Sequence, residues 1–378
     1  MFREQHIDAF ATGSLPDCFG PEYDIYEKRI APRTPNGDLQ LISRVLSVDG
    51  ERHNFKKPSS LVSEYDVPVD AWYYRNSAYP VMPYSMIMEI ALQPCGFLST
   101  YMGATMIYPD SEMRFRNLSS DATLISDPDL CGKTITAYAE LLNVSKAAET
   151  IVLNFNYALD VEGQRFYQGV TQFGYFTPKA LGMQQGLDRG EKVLPWSEIE
   201  KIPLTAATEI ELSSDAAQET YFHSPVDRPH FRLNGPQLDF LDRAWVFSES
   251  GKYGRGYILA TKAVDPGDWF YPCHFYQDPV MPGSLGVEGI IQCMRIFAIQ
   301  QDLGHDMRSP RFVNVPGLTR WFYRGQITPD NETMDIEVHI RKIERSAGQV
   351  VILADANLWK NKLRIYEVTD VAIALMET

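Results

Sequence analysis

His274 opens the stretch His274-Phe275-Tyr276-Gln277-Asp278-Pro279-Val280-Met281-Pro282-Gly283, and Glu288 follows on a segment that reads as a helix. Histidine is the side chain whose ordinary pKa suits proton transfer near neutral pH. Here it stands in a proline- and aromatic-rich turn ahead of an apolar segment that begins with Gly283. A glycine at that point lets a ligand approach the backbone closely. The free amide hydrogens of a helix start can hold a carbonyl oxygen as it becomes negative. A base, a carboxyl group and an oxyanion donor suit removal of a proton beside a carbonyl, with acid assistance to a leaving group. The seven histidines show no spacing typical of a metal site, and His223 and His230 read as loop residues near prolines.

The centre of this stretch occurs twice. Val81-Met82-Pro83 precedes Val280-Met281-Pro282 at an offset of 280 − 81 = 199, which also maps Glu89 onto Glu288 and Gln93 onto Gln292. A carboxyl group in an apolar helix is costly unless paired or protonated. One such glutamate reads as an exposed helix edge; two at matching positions, each with Gln four residues on, read as a site. That spacing lets the Gln amide bond the carboxyl from the same helix face. No histidine maps onto His274.

These residues need elements to hold them. Tyr84 to Gln93 and Gly283 to Met294 are apolar nearly all round, the mark of a buried helix, and a proline directly ahead of each suits a first helical turn. Alternating runs follow at Thr150–Tyr157, within Gln164–Phe176, at Gln349–Ala354 and at Arg364–Val368. Each repeat thus reads as a buried helix with several antiparallel strands, an α+β arrangement. Asn36-Gly37 and Asn234-Gly235 open the two copies. The expected divisions are an arm over 1–35, a first repeat over 36–180, a partly helical linker over 181–230 and a second repeat over 231–378.

Composition bounds the rest. The chain has 378 residues, 44% hydrophobic and 22% charged, enough for a large core. A net charge of −14 argues against a duplex nucleic-acid binder, which needs a basic face. The densest basic positions, Arg341, Lys342, Arg345, Lys360, Lys362 and Arg364, read as charges protecting a strand edge, with a patch for a small acidic partner as the alternative. Five scattered cysteines without CxxC fit a reducing cytosol better than a disulfide framework or zinc site. No run is long enough for a membrane helix, and the first residues lack the apolar core of a signal peptide.

The run Asp268-Trp269-Phe270-Tyr271-Pro272-Cys273-His274 through Pro282-Gly283-Ser284-Leu285-Gly286-Val287-Glu288 resembles the bacterial 3-hydroxydecanoyl-acyl-carrier-protein dehydratase/isomerase family. The likeness extends over most of residues 236–375. Glu288 departs from that family's usual aspartate, although a related dehydratase family uses glutamate. The first repeat, Asp70-Ala71-Trp72-Tyr73-Tyr74 to Met88-Glu89 and on to Gly96, is similar to the partner half in dehydratase regions of polyunsaturated fatty acid synthases. The resemblance implies a hot-dog fold, an antiparallel sheet wrapped round one long helix, and two such units from one chain. It implies a histidine from one repeat working with a carboxyl from the other: His274 with Glu89, Gly283 as oxyanion donor and Gln93 orienting Glu89. A second site would need a histidine near residue 75. The 199 offset gives Arg75, and matching Trp72 to Trp269 gives Ser77; neither these nor Asn76 is a suitable base. Tyr84 replaces the glycine. The site with Glu288, Gln292, Arg75 and Tyr84 is therefore expected to be inactive or reduced to a structural hydrogen bond.

The expected reaction is loss of water from a (3R)-3-hydroxyacyl thioester on acyl carrier protein, giving the trans-2-enoyl product, with double-bond isomerisation as an added possibility. His274 would take the C2 proton. Glu89, protonated because the apolar helix raises its pKa, would protonate the departing hydroxyl. No metal or organic cofactor is required. The expected partners are the carrier protein and other synthase domains, with a pseudo-dimer inside one chain and a homodimer as a further possibility. The rival readings are a hot-dog thioesterase and a non-catalytic scaffold half of a megasynthase. Ser284 is a weak nucleophile candidate, because Gly283-Ser284-Leu285-Gly286 lacks the GxSxG pattern.

Overall fold

The computed structural model describes residues 1–147, 149–223 and 226–378. They form two compact units. One takes in Met1–Val69, Met86–Gln184 and Gly267–Pro282; the other takes in Asp70–Ser85, Gln185–Pro266 and Gly283–Thr378. The units thus depart from the contiguous ranges 36–180 and 231–378. The segment ahead of each long helix is grouped with the other repeat. Sequence periodicity reveals that a segment is repeated, but not which copy it packs against.

The first unit has six strands: β1 (Arg44–Asp49), β2 (Ser59–Asp66), β3 (Arg114–Leu124), β4 (Thr134–Ala147), β5 (Thr150–Val161) and β6 (Gln164–Phe176). They run antiparallel in the order β1-β2-β4-β5-β6-β3. Along β2, alternate residues are buried, as expected when one face meets a core. That core is the helix Tyr84–Tyr101, whose Met86, Ile87, Met88, Ile90, Ala91, Cys95, Phe97 and Leu98 are buried. Its Gly96 lies against the Phe115 ring of β3, and Ser99 Oγ meets the Tyr175 hydroxyl of β6 at 2.7 Å. Residues 1–35 are more than an arm. The helices Glu4–Ala11 and Leu15–Phe19 bury Ile7, Phe10 and Phe19, and Phe10 and Phe19 stack edge-on against Phe97 of the central helix.

The second unit repeats this plan. Its strands are β7 (Thr208–Glu211), β8 (Arg243–Phe247), β9 (Tyr257–Ala263), β10 (Pro310–Asn314), β11 (Gly317–Tyr323), β12 (Thr333–Ser346), β13 (Gln349–Lys360) and β14 (Leu363–Glu377). The order β8-β9-β12-β13-β14-β11 matches the first unit strand for strand; β7 extends the β8 edge and β10 pairs with β14. The helix Gly283–Gln300 packs on β9, β12, β13 and β14 and is buried from Ser284 through Ala298. Even the irregularities recur. The register shift between Leu141 and Asn143 reappears between Ile340 and Lys342, and that between Leu159 and Asp160 reappears between Leu358 and Trp359. The β5–β6 turn places Glu162 and Gly163 at positive φ, and the β13–β14 turn does the same with Asn361 and Lys362. Each unit is a hot-dog, and the class is α+β.

Two expectations about the second unit need revision. The 181–230 segment is not only a partly helical connection: it supplies β7, and residues 188–196 are stitched to the sheet. Trp196 N donates to Glu337 at 2.7 Å, Trp359 Nε1 donates to the Val193 carbonyl, and Arg364 grips Asp188. The basic positions of β12–β14 neither guard a sheet edge nor form a free cationic patch. β13 and β14 are interior strands, and four of the six cations are paired: Arg341 with Asp355 and Asp370, Lys342 with Glu344, Arg345 with Asp306, and Arg364 with Asp188. Except for Glu344, the paired acids lie far along the chain, where spacing gives no sign of them.

Candidate active site

His274 sits in the first unit, within Gly267–Pro282, together with Glu89 and Gln93 of the central helix. Its loop is closed by its own backbone. His274 N donates to the Phe270 carbonyl at 2.8 Å and Val280 N to the His274 carbonyl at 2.8 Å, while Phe275 and Asp278 exchange bonds at 3.1 and 3.0 Å. Asn36 fastens the approach, its N and Nδ2 both bonding the Cys273 carbonyl. Asp278 fastens the far side. Arg116 of β3 holds it with two parallel bonds of 2.7 and 2.8 Å, the strongest geometry a carboxylate finds, and Arg114 stands 3.6 Å away.

This frame fixes the state of the imidazole. His274 Nδ1 lies 3.0 Å from the Val280 carbonyl oxygen. A carbonyl can only accept, so Nδ1 carries the hydrogen and, in the neutral ring, Nε2 has the lone pair. Burial of the ring lowers its pKa below the ordinary 6.5, because the charged form is desolvated; the nearby Glu89 charge and the Val280 bond oppose that drop, and Arg116 reinforces it. The ring is therefore neutral at pH 7 and presents Nε2 as a base.

Glu89 is 6% exposed, one of few carboxyl groups so deeply placed. Gln93 Nε2 donates to its Oε2 at 3.1 Å, across the four-residue spacing. Gln93 also bonds the backbone of the segment entering β1: Nε2 donates to the Leu39 carbonyl, and Oε1 accepts from Leu41 N at 3.0 Å. A side chain held at both ends cannot swing away from Glu89 without orphaning buried backbone groups.

The corresponding positions of the second unit are arranged differently. Glu288 is 1% exposed, accepts from Ser85 Oγ at 2.8 Å and Asn234 Nδ2 at 3.4 Å, and lies 3.6 Å from Arg295. Gln292 Oε1 accepts from Phe240 N, the counterpart of Leu41, but its Nε2 turns to Asp239 at 2.6 Å. Arg75 is exposed, and its guanidinium donates to the Asp70 carbonyl. The residue standing where His274 stands is Ser77. Its N bonds the Tyr73 carbonyl and its Oγ reaches the Val81 carbonyl, as His274 does with Phe270 and Val280. The offset is 274 − 77 = 197 before the loop and 199 after it, so the histidine-bearing loop is two residues longer. The direct 199 count that picked Arg75 misses this insertion. Tyr84 is buried at the start of the first central helix.

Gly283 begins the second unit's helix. Its carbonyl accepts from the Tyr323 hydroxyl at 3.1 Å, and a Cβ there would fall 2.4 Å from the Tyr323 ring. The glycine thus has a packing reason of its own, beside the ligand access inferred from sequence. Sequence reasoning missed Arg116, Asp278 and Asn36 as supports of the histidine, and Ser85 and Asn234 as partners of Glu288. Asp278 lay inside the recognised stretch, but nothing in spacing pointed to an arginine 162 residues away. Among the described residues, no group of three or more His, Cys, Asp or Glu is placed to hold a metal, and no helix is long and apolar enough to cross a membrane.

Comparison with known proteins adds to this geometry. A family model described as the FabA-like domain matches twice, over residues 34–169 and 233–369. A polyunsaturated fatty acid synthase polypeptide of Thraustochytrium sp. (strain ATCC 26185 / S-3) is 37% identical over 378 residues, covering 97% of this chain and 25% of that protein. The chain therefore spans about a quarter of that relative's length. Among solved structures, the dehydratase domain from the CurJ module of curacin polyketide synthase superposes with a TM-score of 0.46 at 13% identity, covering 89% of this chain and 97% of that one. An oleoyl thioesterase, so assigned provisionally, from Lactobacillus plantarum gives 0.45 at 11%, covering 85% and 98%. Neither likeness separates a dehydratase from a thioesterase.

Proposed function

The chain belongs to the FabA-like domain family, and from that premise we propose that it is a 3-hydroxyacyl thioester dehydratase with one working site, built on His274 and Glu89. The substrate is a (3R)-3-hydroxyacyl chain on acyl carrier protein, and the setting is fatty acid or polyunsaturated fatty acid synthesis within a larger synthase. The observation that carries this reading is the state of His274, a neutral imidazole with Nδ1–H committed to Val280 and Nε2 left as base, in the same unit as a buried Glu89 oriented by Gln93.

The chemistry follows. His274 Nε2 takes the C2 proton, and the electron pair moves toward the thioester carbonyl. The pair then returns to form the C2–C3 double bond as the C3–O bond breaks. Glu89, in its protonated form, gives its proton to the departing hydroxyl, which leaves as water. Transfer of the proton from His274 back to Glu89 restores both groups. Sequence assigns the oxyanion donor to the Gly283 amide. Gln93 positions Glu89. In the second unit Ser77 supplies no base, and Glu288 is engaged by Ser85, Asn234 and Arg295, so we assign it a structural role.

Incubation with 3-hydroxyacyl thioesters tests the class of reaction. Enoyl absorbance is expected to rise without free thiol, and separation of the products by position of the double bond reads isomerisation in the same samples. Thiol release without enoyl product would establish the thioesterase instead, and no turnover at any chain length would establish the scaffold.

A further inference from the structure

The first unit contains a cleft of about 610 Å³ bordered by Tyr26, Lys28, Arg29, Arg33, Tyr276 and Gln277, with Glu27 also in its wall. The mechanism uses none of them. Three cations share this cleft, and among the described residues none makes an ion pair, on a chain whose net charge is −14 and where arginines such as Arg44, Arg116, Arg341 and Arg364 do pair with carboxylates. Arg29 donates to the carbonyls of Pro109 and Ser111, and Arg33 to those of Ala9, Phe10 and Gly13. Both keep an Nε–H that is shielded and without a partner. Their guanidinium groups stack on tyrosines, Arg29 over Tyr26 at 5.0 Å and Arg33 over Tyr276 at 5.7 Å. Carbonyls fix these side chains but leave their charge unneutralised, and an unpaired, partly desolvated cation is a standing cost that an anion would relieve.

The cleft is tied to the histidine by the chain itself. The loop from His274 to Val280 is two residues longer than its counterpart from Ser77 to Val81, and the extension falls in the stretch that carries Tyr276 and Gln277. Gln277 takes a positive φ there, and Asp278 next to it is clamped by Arg116. The copy that keeps the base is thus the copy whose loop is lengthened to wall the cleft. Both the cleft and His274 belong to the first unit.

We propose that this cleft holds the phosphate of a phosphopantetheine arm, so that the anchor and the base act on two parts of one thioester substrate. The inference rests on the dehydratase reading for the identity of the arm. Phosphate presents several acceptor oxygens to forked and point-charge donors together, which suits Arg29, Arg33 and Lys28.

The test compares 3-hydroxyacyl thioesters of N-acetylcysteamine, pantetheine, 4′-phosphopantetheine, coenzyme A and acyl carrier protein. Phosphopantetheine should exceed pantetheine in kcat/KM by about tenfold, the factor for one charge-assisted contact. Lys28→Glu and Gln277→Glu, both at exposed positions, should erase that ratio. Calorimetric titration of the His274→Ala protein with phosphopantetheine and pantetheine reads the same preference without turnover. A ratio near one in the unaltered protein, a ratio that survives both substitutions, or charge dependence seen only with the intact carrier protein would overturn the proposal. Absence of turnover on every thioester, with the calorimetric preference intact, would instead count against the dehydratase reading and leave the anion site standing.

Discussion

At the scale of single residues, the proposed chemistry turns on a histidine held neutral. Burial lowers the His274 pKa and the Glu89 charge resists that change. Proton-detected NMR should therefore show His274 titrating below 6.5, and lower still in Glu89→Gln; a value above 6.5 would mean that the ring is not desolvated as described. The same shift has a consequence for stability. Because the folded pKa lies below the unfolded one, the unfolded state binds more protons between the two values. The contribution is fully present above 6.5 and is lost as pH falls through the folded pKa. His274→Asn should flatten that acid-side slope in denaturant unfolding. The missing histidine of the first repeat was legible in the sequence, since no imidazole stands anywhere near residue 75. Its replacement was legible as one of two options: matching Trp72 to Trp269 gives Ser77, which holds the backbone position of His274, whereas the fixed 199 offset gives Arg75 because it cannot see the insertion in the longer loop.

At the scale of elements, the two central helices and the strands β5, β6, β13 and β14 were readable from apolar runs and alternation, because each has one buried face or is buried all round. The short strands β1, β2, β7, β8 and β9 were not, since their pattern is too brief to stand out from loops. The histidine loop was visible as a motif, whereas its supports were invisible, because Arg116 reaches Asp278 through tertiary packing alone. That support is testable. Asp278→Asn breaks a bidentate pair in which the Arg116 side chain is only 9% exposed. It should cost up to about 3 kcal/mol of stability and lower kcat by roughly tenfold or more through misplacement of the base. Denaturant titration and steady-state kinetics at a temperature where the variant is folded check the two effects separately. Unchanged kcat would show that the clamp does not position His274.

At the scale of the whole molecule, duplication was plain in the sequence from Val-Met-Pro, Glu-Gln and the 199 offset, and the structure extends it to matching strand order and matching irregularities. What sequence could not give was the grouping of segments, in which the first unit takes in Gly267–Pro282 and the second takes in Asp70–Ser85. A chain folded this way should survive a cut between the repeats. With a protease site placed at Val226, which is fully exposed, the two fragments should co-elute on size exclusion and keep their activity after cleavage; separate elution would contradict the shared units. The grouping also sets the central claim, that the base of one repeat works with the acid of the other. The most direct measurement is the dehydration rate of Glu89→Gln beside that of Glu288→Gln, on the same 3-hydroxyacyl thioester. The predicted result is a loss of roughly 10²–10⁴-fold for Glu89→Gln and retention of most activity by Glu288→Gln. Activity that survives Glu89→Gln and disappears in Glu288→Gln would contradict it.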